Sequence, residues 1–290
     1  MDSALTAIGL PVALGIIMFG LGLSLTVDDF RNVARSPKAV AVALVCQVLI
    51  LPALCFGLVL ALDLPPLLAV GMMLLAASPG GTTANLYSHL FRGDVALNVS
   101  LTAVNSVIAV VTMPLITNLA LGYFDLDDEV TIVFKKVVEV FVVVLAPVAL
   151  GMWVRAKKPG FADRMDKPVR IASAVILFVM ILGILLAEKD NVGGYIADVG
   201  IATTLFCVIS LAVGYFVPKA MGIRTKQAVA SSFEIGVHNA TLAIYIAENV
   251  LDNTEIAVPA AVYGVVMFVV AALWGMLLTR VLITEPATRV

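Results

Sequence analysis

The sequence predicts an all-α polytopic membrane protein with about nine transmembrane helices, two of them broken. The first observation is composition: 61% of the 290 residues are hydrophobic, 13% are charged and the mean hydropathy is +1.08. This balance is typical of a chain whose solvent is lipid. The second observation is a series of apolar runs of spanning length, and the third is a pair of interruptions inside two of them. A net charge of −2 argues against a nucleic-acid partner.

The apolar runs divide the chain into nine candidate spans of about 20 residues each. A closed barrel would need strands that alternate apolar and polar residues over about ten positions, and these runs do not alternate. Helices are therefore predicted, because lipid offers the backbone no other hydrogen-bonding partner. The candidate spans are residues 4–26, 39–61, 67–91, 95–121, 131–154, 171–187, 199–221, 227–248 and 257–279.

Basic residues between the spans predict the orientation. Fifteen of the 18 lysines and arginines fall on one side of the membrane if the N-terminus starts outside, whereas the loops of the other side are mainly acidic. The positive-inside rule then predicts an external N-terminus and a cytoplasmic C-terminus, in a multi-pass protein of the plasma (inner) membrane. Lys135, Lys136 and Glu139 open the fifth span, either as a snorkelling interfacial turn or as residues that line a pathway.

Two spans are interrupted at corresponding positions. In the third span, Ser78–Gly81 (Ser-Pro-Gly-Gly) removes a backbone donor and loosens the helix. In the eighth span, Glu234 stands with Gly236 and Asn239 in an otherwise apolar stretch, and a carboxylate at that depth is costly without a partner. Either break alone could be a kink with a packing notch. The pair, with a carboxylate in one of them, indicates the binding site of a secondary transporter.

The order of the spans repeats. Each half of the chain ends with a broken span followed by an unbroken one, so that spans one to four correspond to spans six to nine and the fifth connects them. Because one half starts outside and the other inside, the repeat is predicted to be inverted.

The breaks place hydrogen-bonding groups at mid-membrane. The C-terminal end of a half-helix presents carbonyls to a cation, and the N-terminal end presents N–H groups to an anion. The eighth span offers a cation Glu234 and the carbonyls around Ile235 and Val237, and Asn239 starts the next half-helix. Further buried polar side chains either join helices or supply oxygens for a hard monovalent cation. They are Gln47, Asn98, Thr102 and Asn105, to which Asn85 of the third span adds another oxygen.

The two histidines do not favour an enzyme. Glu234 and His238 lie four residues apart, as zinc ligands on one helix face do. A metalloenzyme would need a third ligand and a group that activates a nucleophile, and no H-E-x-x-H motif occurs. His238 could instead carry a proton or belong to the cation site.

Three motifs, in this order, resemble the bile acid:sodium symporter family, and the match extends over essentially the whole chain. They are GIIMFGLGLSLTVDDF (Gly15–Phe30), SPGGTTANLYSHLFRGDVAL (Ser78–Leu97) and FEIGVHNATLAI (Phe233–Ile244). The chain looks like the nine-span form, without the extra first helix that some bacterial members carry.

The resemblance implies a fold of two domains. A core domain would hold the broken helices, which cross at mid-membrane, and a panel domain would pack beside it. The core would comprise residues 39–121 and 199–279, and the panel residues 4–26, 131–154 and 171–187.

The family couples the uptake of an organic anion to two sodium ions, and the resemblance assigns residues to each ligand. The first sodium site would comprise Asn85, Asn98, Thr102 and Glu234. The second would comprise Gln47, His238, and Glu234 with the carbonyls near Ile235 and Val237. The substrate would face Thr82, Thr83 and Asn239 at the half-helix N-termini, where a carboxylate or sulfonate is favoured.

Two residues depart from the family pattern. Ala84 stands where serine is frequent and offers only its backbone to the first site. His238 stands where glutamine is common; neutral imidazole offers one lone pair, whereas imidazolium cannot bind sodium, so the affinity of the second site is expected to fall at acidic pH. The sequence thus leaves open whether one or two sodium ions are bound, or whether a proton replaces one.

The predicted function is sodium-coupled symport of a small organic anion by alternating access. A bile-salt-like anion, pantoate and a keto acid all stay open as substrates, as does the oligomeric state. The nearest alternative is a carrier of the same fold that moves an organic anion or a metalloid, either coupled to protons or uncoupled. Arsenite carriers use a cysteine near the broken helix, and none of Cys46, Cys55 and Cys207 lies in a break. A receptor or sensor on a transporter scaffold would be expected to carry a soluble signalling extension, and about ten residues follow the last span.

Overall fold

A computed structural model describes residues 4–126, 134–187 and 192–282, and within these ranges the chain is helical, with one isolated β-bridge. The prediction of an all-helical protein is confirmed for this part of the chain. Four of its helices are long and apolar enough to cross a membrane: Pro37–Ala61, Val95–Tyr123, Val199–Ala220 and Thr254–Arg280. They support a polytopic membrane protein; a count of about nine spans stays a prediction.

The first half of the described chain holds the first of the two interrupted segments. Its helices are α1 (Ala4–Ser24), α2 (Val27–Asn32), α3 (Pro37–Val45), α4 (Leu51–Ala61), α5 (Pro66–Ala77), α6 (Thr82–Leu90) and α7 (Val95–Tyr123). A π-helical turn, Cys46–Ile50, joins α3 to α4 without a loop. Pro52 follows this turn and has no N–H with which to continue the ladder. The turn carries Gln47. Because π-helical turns recur at functional sites, this local distortion makes Gln47 a candidate functional residue.

The second half holds the other interruption. Its helices are α8 (Phe134–Lys157), α9 (Pro159–Ala187), α10 (Val192–Ala220), α11 (Thr225–Gly236), α12 (Ala240–Asn249) and α13 (Thr254–Leu277), the last extended by a π-turn, Leu278–Leu282.

The helices differ from the predicted spans at three places. Helix α10 begins at Val192, whereas the seventh span is predicted to begin at residue 199. The predicted sixth span, residues 171–187, is only the C-terminal part of α9, which begins at Pro159. Its first turns carry charged residues, so a search for apolar runs misses them although they are helical. Helix α2 was not predicted; Thr26 and Asp29 form its capping box, in which the Thr26 N–H donates to Asp29 Oδ2 at 2.7 Å.

Packing arranges the broken helices around a common centre. Helix α11 lies against α6, α7 and α10, and α13 packs against α5, α10 and α12. Helix α1 packs mainly on α8 and α9. Helix α1 also contacts α12 of the second broken segment, and α9 contacts the unbroken helix α13. The division into core and panel domains stays a prediction.

Candidate functional site

The first break lies between α5 and α6 and follows from its sequence. Helix α5 ends at Ala77, and Ser78 takes an extended conformation (φ −71°, ψ 147°), which the following Pro79 favours. Helix α6 then starts at Thr82, whose side chain lies outside the described part of the structure, with Gly81 as its N-cap. The interruption predicted at Ser78–Gly81 is therefore present.

The second break lies between α11 and α12. Helix α11 ends at Gly236, and α12 begins at Ala240. Asn239 caps α12, because its side-chain oxygen accepts a hydrogen bond of 3.1 Å from the Leu242 N–H. The cap explains why the chain resumes a helix only three residues after α11 ends.

The two breaks pair with each other. The Gly81 N–H donates to the Val237 carbonyl at 2.7 Å, and the Asn239 N–H donates to the Pro79 carbonyl at 2.8 Å. These bonds form an antiparallel bridge between Gly80 and His238. The bridge brings together the C-terminal ends of α5 and α11, which are electronegative, and the N-terminal ends of α6 and α12, which are electropositive.

Glu234 lies at this junction and is fully buried. Its Oε2 accepts a hydrogen bond of 2.5 Å from the Thr102 hydroxyl on α7. Gly80 faces the carboxylate so closely that a Cβ at that position would overlap it. Within the described residues, Oε1 accepts no well-aligned hydrogen bond, although the Asn105 side chain and the Gly80 backbone also interact with the carboxylate. A buried carboxylate oxygen of this kind is a ligand that hard cations prefer.

Two amide oxygens near α11 are also unpaired. Asn98 on α7 donates through Nδ2 to the Ala230 carbonyl at 2.7 Å, which fixes the side chain and leaves Oδ1 without a partner among the described groups. Asn85 lies on α6, which packs against both α7 and α11, and its buried Oδ1 is unpaired there too. Ala84 is fully buried and offers only its backbone, as expected from its side chain.

Gln47 and His238 converge on one carbonyl, that of Ser78. Gln47 donates to it through Nε2 at 2.9 Å, and His238 Nδ1 lies 3.2 Å from it. Since a carbonyl can only accept, Nδ1 carries the hydrogen, and in the neutral ring Nε2 keeps its lone pair. Gln47 Oε1 and His238 Nε2 are both buried and lack partners in the described part of the chain.

Carbonyls of α11 complete the set of acceptors. A helix that ends at Gly236 leaves its last carbonyls, including those of Glu234 and Ile235, without the donors of a further turn. The Val237 carbonyl, in contrast, already accepts the bond from Gly81. Tyr263 donates to the Gly236 carbonyl at 2.9 Å, which fixes the end of the helix.

A cavity of about 200 Å³ lies at the N-terminal ends of α6 and α12. Thr83, Asn239 and Thr241 contribute polar side chains to it, beside Gly81 and His238. Ile17 of α1, Ala174 and Leu177 of α9, and Met267 and Phe268 of α13 supply apolar side chains to its lining. The cavity thus joins an apolar wall to two helix N-termini, an arrangement that suits an anion with a small apolar body.

Sequence reasoning missed several groups of this site. It did not assign the Ser78 carbonyl, which holds Gln47 and His238 in place, nor the contact between Gly80 and Glu234. The apolar residues from α1 and α9 carry no signal that distinguishes them from lipid-facing residues. The π-turn at Gln47 could have been suspected from Pro52, five residues later.

Comparison with known proteins identifies the family. Residues 11–194 match the Sodium Bile acid symporter family over more than half of the chain. The chain belongs to this family. The predicted family is therefore confirmed; the matched residues contain the first two motifs but not the third, Phe233–Ile244, and the nine-span form stays a prediction.

Three relatives illustrate the range of the family. A probable sodium/metabolite cotransporter of the chloroplast from Arabidopsis thaliana is 30% identical over 276 residues, covering 91% of this chain and 66% of the relative. An uncharacterized sodium-dependent transporter of Bacillus subtilis (strain 168) is 29% identical over 260 residues, covering 88% and 78%. The human ileal sodium/bile acid cotransporter is 27% identical over 235 residues, covering 80% and 67%. The chain thus spans about two thirds of the length of the chloroplast relative.

Proposed function

We propose that this protein is a sodium-coupled symporter that imports a small organic anion by alternating access. The observation that carries the proposal is a set of buried side-chain acceptors, unpaired among the described residues, around the paired breaks. An unpaired polar atom in an apolar interior costs about 1–3 kcal/mol, so a bound cation would relieve the cost of several such atoms together. Relatives whose names describe sodium cotransport support the assignment of sodium.

The first sodium site comprises Glu234, Asn85, Asn98 and Thr102. Glu234 supplies the negative charge and the unpaired Oε1. The two amides supply Oδ1 atoms, and the Thr102 hydroxyl, which orients the carboxylate, keeps lone pairs for the ion. Ala84 has no side-chain oxygen to offer to this site, and the Asn98 side chain supplies one instead.

The second sodium site comprises Gln47, His238 and the carbonyls of Glu234, Ile235 and Val237. The shared contact with the Ser78 carbonyl fixes the side chains of Gln47 and His238 beside the break, and Gln47 Oε1 and His238 Nε2 stay unpaired among the described residues. Of the three carbonyls, Val237 contributes a second lone pair only, since the first accepts from Gly81. This site is therefore the weaker of the two, and one or two sodium ions are coupled.

The substrate site is the cavity at the N-termini of α6 and α12. Thr82 and Thr83 at the start of α6 and Asn239 at the start of α12 receive the anionic group. At about 200 Å³ the cavity lies below the 300–1,000 Å³ range of pockets for drug-sized ligands. Its volume favours pantoate or a keto acid over a bile-salt-like anion.

The transport cycle follows from what surrounds the cavity. Its walls come from the broken helices and α13 on one side and from α1 and α9 on the other. A core of residues 39–121 and 199–279 would rock against a panel of residues 4–26, 131–154 and 171–187, opening the cavity to each side in turn. The nine spans form an inverted repeat in the plasma (inner) membrane, with the N-terminus outside, and the inward sodium gradient drives uptake.

The proposal is tested by uptake into proteoliposomes. Labelled pantoate, pyruvate and taurocholate are offered under an inward sodium gradient, an equal potassium gradient, or a proton gradient alone. Accumulation of one of the small anions that requires sodium, and is abolished by Glu234→Ala in protein that still purifies as a folded species, is expected. Uptake that follows the proton gradient and ignores sodium would instead assign the coupling to protons, with His238 as a candidate carrier.

A further inference from the structure

Ser231 carries a buried hydroxyl that makes no hydrogen bond to its own helix, as do Ser88 on α6 and Thr117 on α7. It lies on α11 at 2% exposure, and its Oγ has no partner among the described residues. Buried hydroxyls in helices commonly donate to the carbonyl one turn earlier. Those of Ser100, Ser106, Thr203 and Ser210 do so at 2.7–2.8 Å. The hydroxyl of Ser231 is thus left available to a ligand.

Ser231 occupies the middle of a polar face on α11. Gln227, Ser231 and Glu234 follow each other at i, i+4 and i+7, which places them on one side of the helix. All three are buried. Gln227 donates to the Ser36 hydroxyl at 3.0 Å, and Glu234 lies at the break. Ser231 therefore stands between the proposed ion site and the N-terminal end of α11.

Helix α7 packs beside α11 and is hydrogen-bonded to it at regular intervals, through positions next to this face. Three hydrogen bonds, spaced one turn apart along each helix, join the two. They are Asp94 N to Lys226 O at 2.8 Å, Asn98 Nδ2 to Ala230 O at 2.7 Å, and Thr102 Oγ1 to Glu234 Oε2 at 2.5 Å. Residue numbers rise in the same direction along both helices from one bond to the next, so α7 and α11 run parallel. We call this row of three hydrogen bonds the seam; it extends from Glu234 to the N-termini of both helices.

The seam ends at a surface pocket of about 530 Å³. Asp94 and Lys226 of the seam and Gln227 of the polar face all line this pocket, together with Lys219 and Arg224. The basic residues outnumber the single carboxylate, so the pocket holds a cation weakly. A release route needs this property, because an ion must leave its last site readily.

We propose that a sodium ion leaves the site at Glu234 along this seam, with the Ser231 hydroxyl and Asn98 Oδ1 as intermediate ligands before it reaches the pocket at Gln227. The inference rests on the proposed function, in that the ion must first occupy the broken helices. Successive turns of a helix are about 5.4 Å apart, so oxygens spaced by one turn allow an ion to exchange ligands stepwise with the help of water. One hydroxyl and one amide oxygen carry no net charge, which makes the station weak enough for passage.

Thiol labelling of purified protein tests the route without a substrate. Ser231→Cys is made in a background in which Cys46, Cys55 and Cys207, all buried, are replaced by alanine. Its reaction with cationic 2-aminoethyl methanethiosulfonate is compared with that of the anionic 2-sulfonatoethyl reagent of similar size, in sodium and in potassium. Ser100→Cys is the matched control, since Ser100 is fully buried on α7 and its hydroxyl is already bonded to Ala96.

The route predicts that Ser231→Cys reacts at least tenfold faster with the cationic reagent than with the anionic one, despite the basic residues that line the pocket. Sodium, but not potassium, should slow the reaction with the cationic reagent severalfold. Gln227→Cys, one turn nearer the pocket, should react faster still and provides a second position. Ser100→Cys should stay unreactive.

Two results would overturn the inference, and they differ in what they say about transport. If Ser231→Cys and Gln227→Cys are as unreactive with the cationic reagent as Ser100→Cys while sodium still stabilises the protein, the route is wrong and the proposed function stands. If the thiols react but sodium and potassium act alike, and sodium gives no specific stabilisation, the proposed function fails together with the route.

Discussion

Gly80→Ala is the substitution that probes the contact between the two breaks most sharply. A Cβ on Gly80 would lie 2.6 Å from Oε2 of Glu234 and closer still to the rest of the carboxylate. Ordinary carbon contacts lie at about 3.5 Å, so the carboxylate must move by about 1 Å or the breaks must separate. Such a shift would stretch the 2.5 Å bond from Thr102 beyond hydrogen-bonding distance.

The expected cost follows from these distances. Overpacking of this kind destabilises by about 1–3 kcal/mol. The larger effect is on sodium, because the displaced carboxylate no longer faces the other ligands. In wild-type protein, sodium at 100 times its dissociation constant should contribute about 2.7 kcal/mol of stability. In Gly80→Ala most of this contribution should be absent.

The assay is thermal unfolding of detergent-purified protein in sodium against potassium at equal ionic strength. Gly57→Ala is the matched control: Gly57 lies inside α4, and a Cβ there meets nothing within 4 Å. An alanine in a helix interior should stabilise by about 0.5–1 kcal/mol and leave the sodium response unchanged. A full sodium response in Gly80→Ala would refute the reasoning that places the ion beside this carboxylate.

Two further substitutions test single hydrogen bonds against matched controls. Thr102→Val removes the hydroxyl that donates to Glu234. A hydrogen bond to a charged group is worth about 1.5–3 kcal/mol, so its loss should weaken sodium affinity by roughly 10- to 100-fold. The affinity is measured by sodium titration of the melting temperature. Thr203→Val, which removes a hydroxyl bonded to its own helix, should leave the affinity unchanged; an equal loss in both would dismiss a specific role for Thr102. Asn239→Ala and Asn253→Ala each remove an N-cap bond of 3.1 Å and should each cost about 1 kcal/mol of stability. Only Asn239→Ala, at the cavity, should also reduce anion uptake, and equal uptake by the two variants would remove Asn239 from the substrate site.

The positions of the breaks could be predicted from the sequence because they depend on local chemistry. Pro79 and the glycines that follow it cannot continue a helix at low cost, and Asn239 is a strong N-cap residue. The depth and charge of Glu234 make it a candidate functional residue without any knowledge of its neighbours.

The pairing of the breaks could not be predicted in the same way. The bonds from Gly81 to Val237 and from Asn239 to Pro79 join segments more than 150 residues apart, and nothing in either segment specifies the register of the other. The position of the Gln47 side chain could not be predicted either, because it is fixed by a hydrogen bond to the distant Ser78 carbonyl. Such contacts are set by the packing of whole helices.

Apolar residues were the hardest to assign. Leu177 lines the cavity whereas Phe178, the next residue, is 65% exposed, and the sequence offers no local reason to separate the two. Ser231 was overlooked for a different reason: a serine in a helix ordinarily bonds to its own backbone, and only the structure shows that this one does not.

The central claim, a sodium site at the broken helices that depends on Glu234, is tested most directly by the sodium-specific stabilisation of three proteins: wild type, Glu234→Gln and Asp163→Asn. The control removes a carboxylate that is exposed and paired with Arg155. The account predicts a saturable stabilisation by sodium over potassium in wild type and Asp163→Asn and its loss in Glu234→Gln, because the amide keeps the shape of the side chain but not its charge. Equal effects of sodium and potassium in wild type, or an undiminished sodium response in Glu234→Gln, would contradict it.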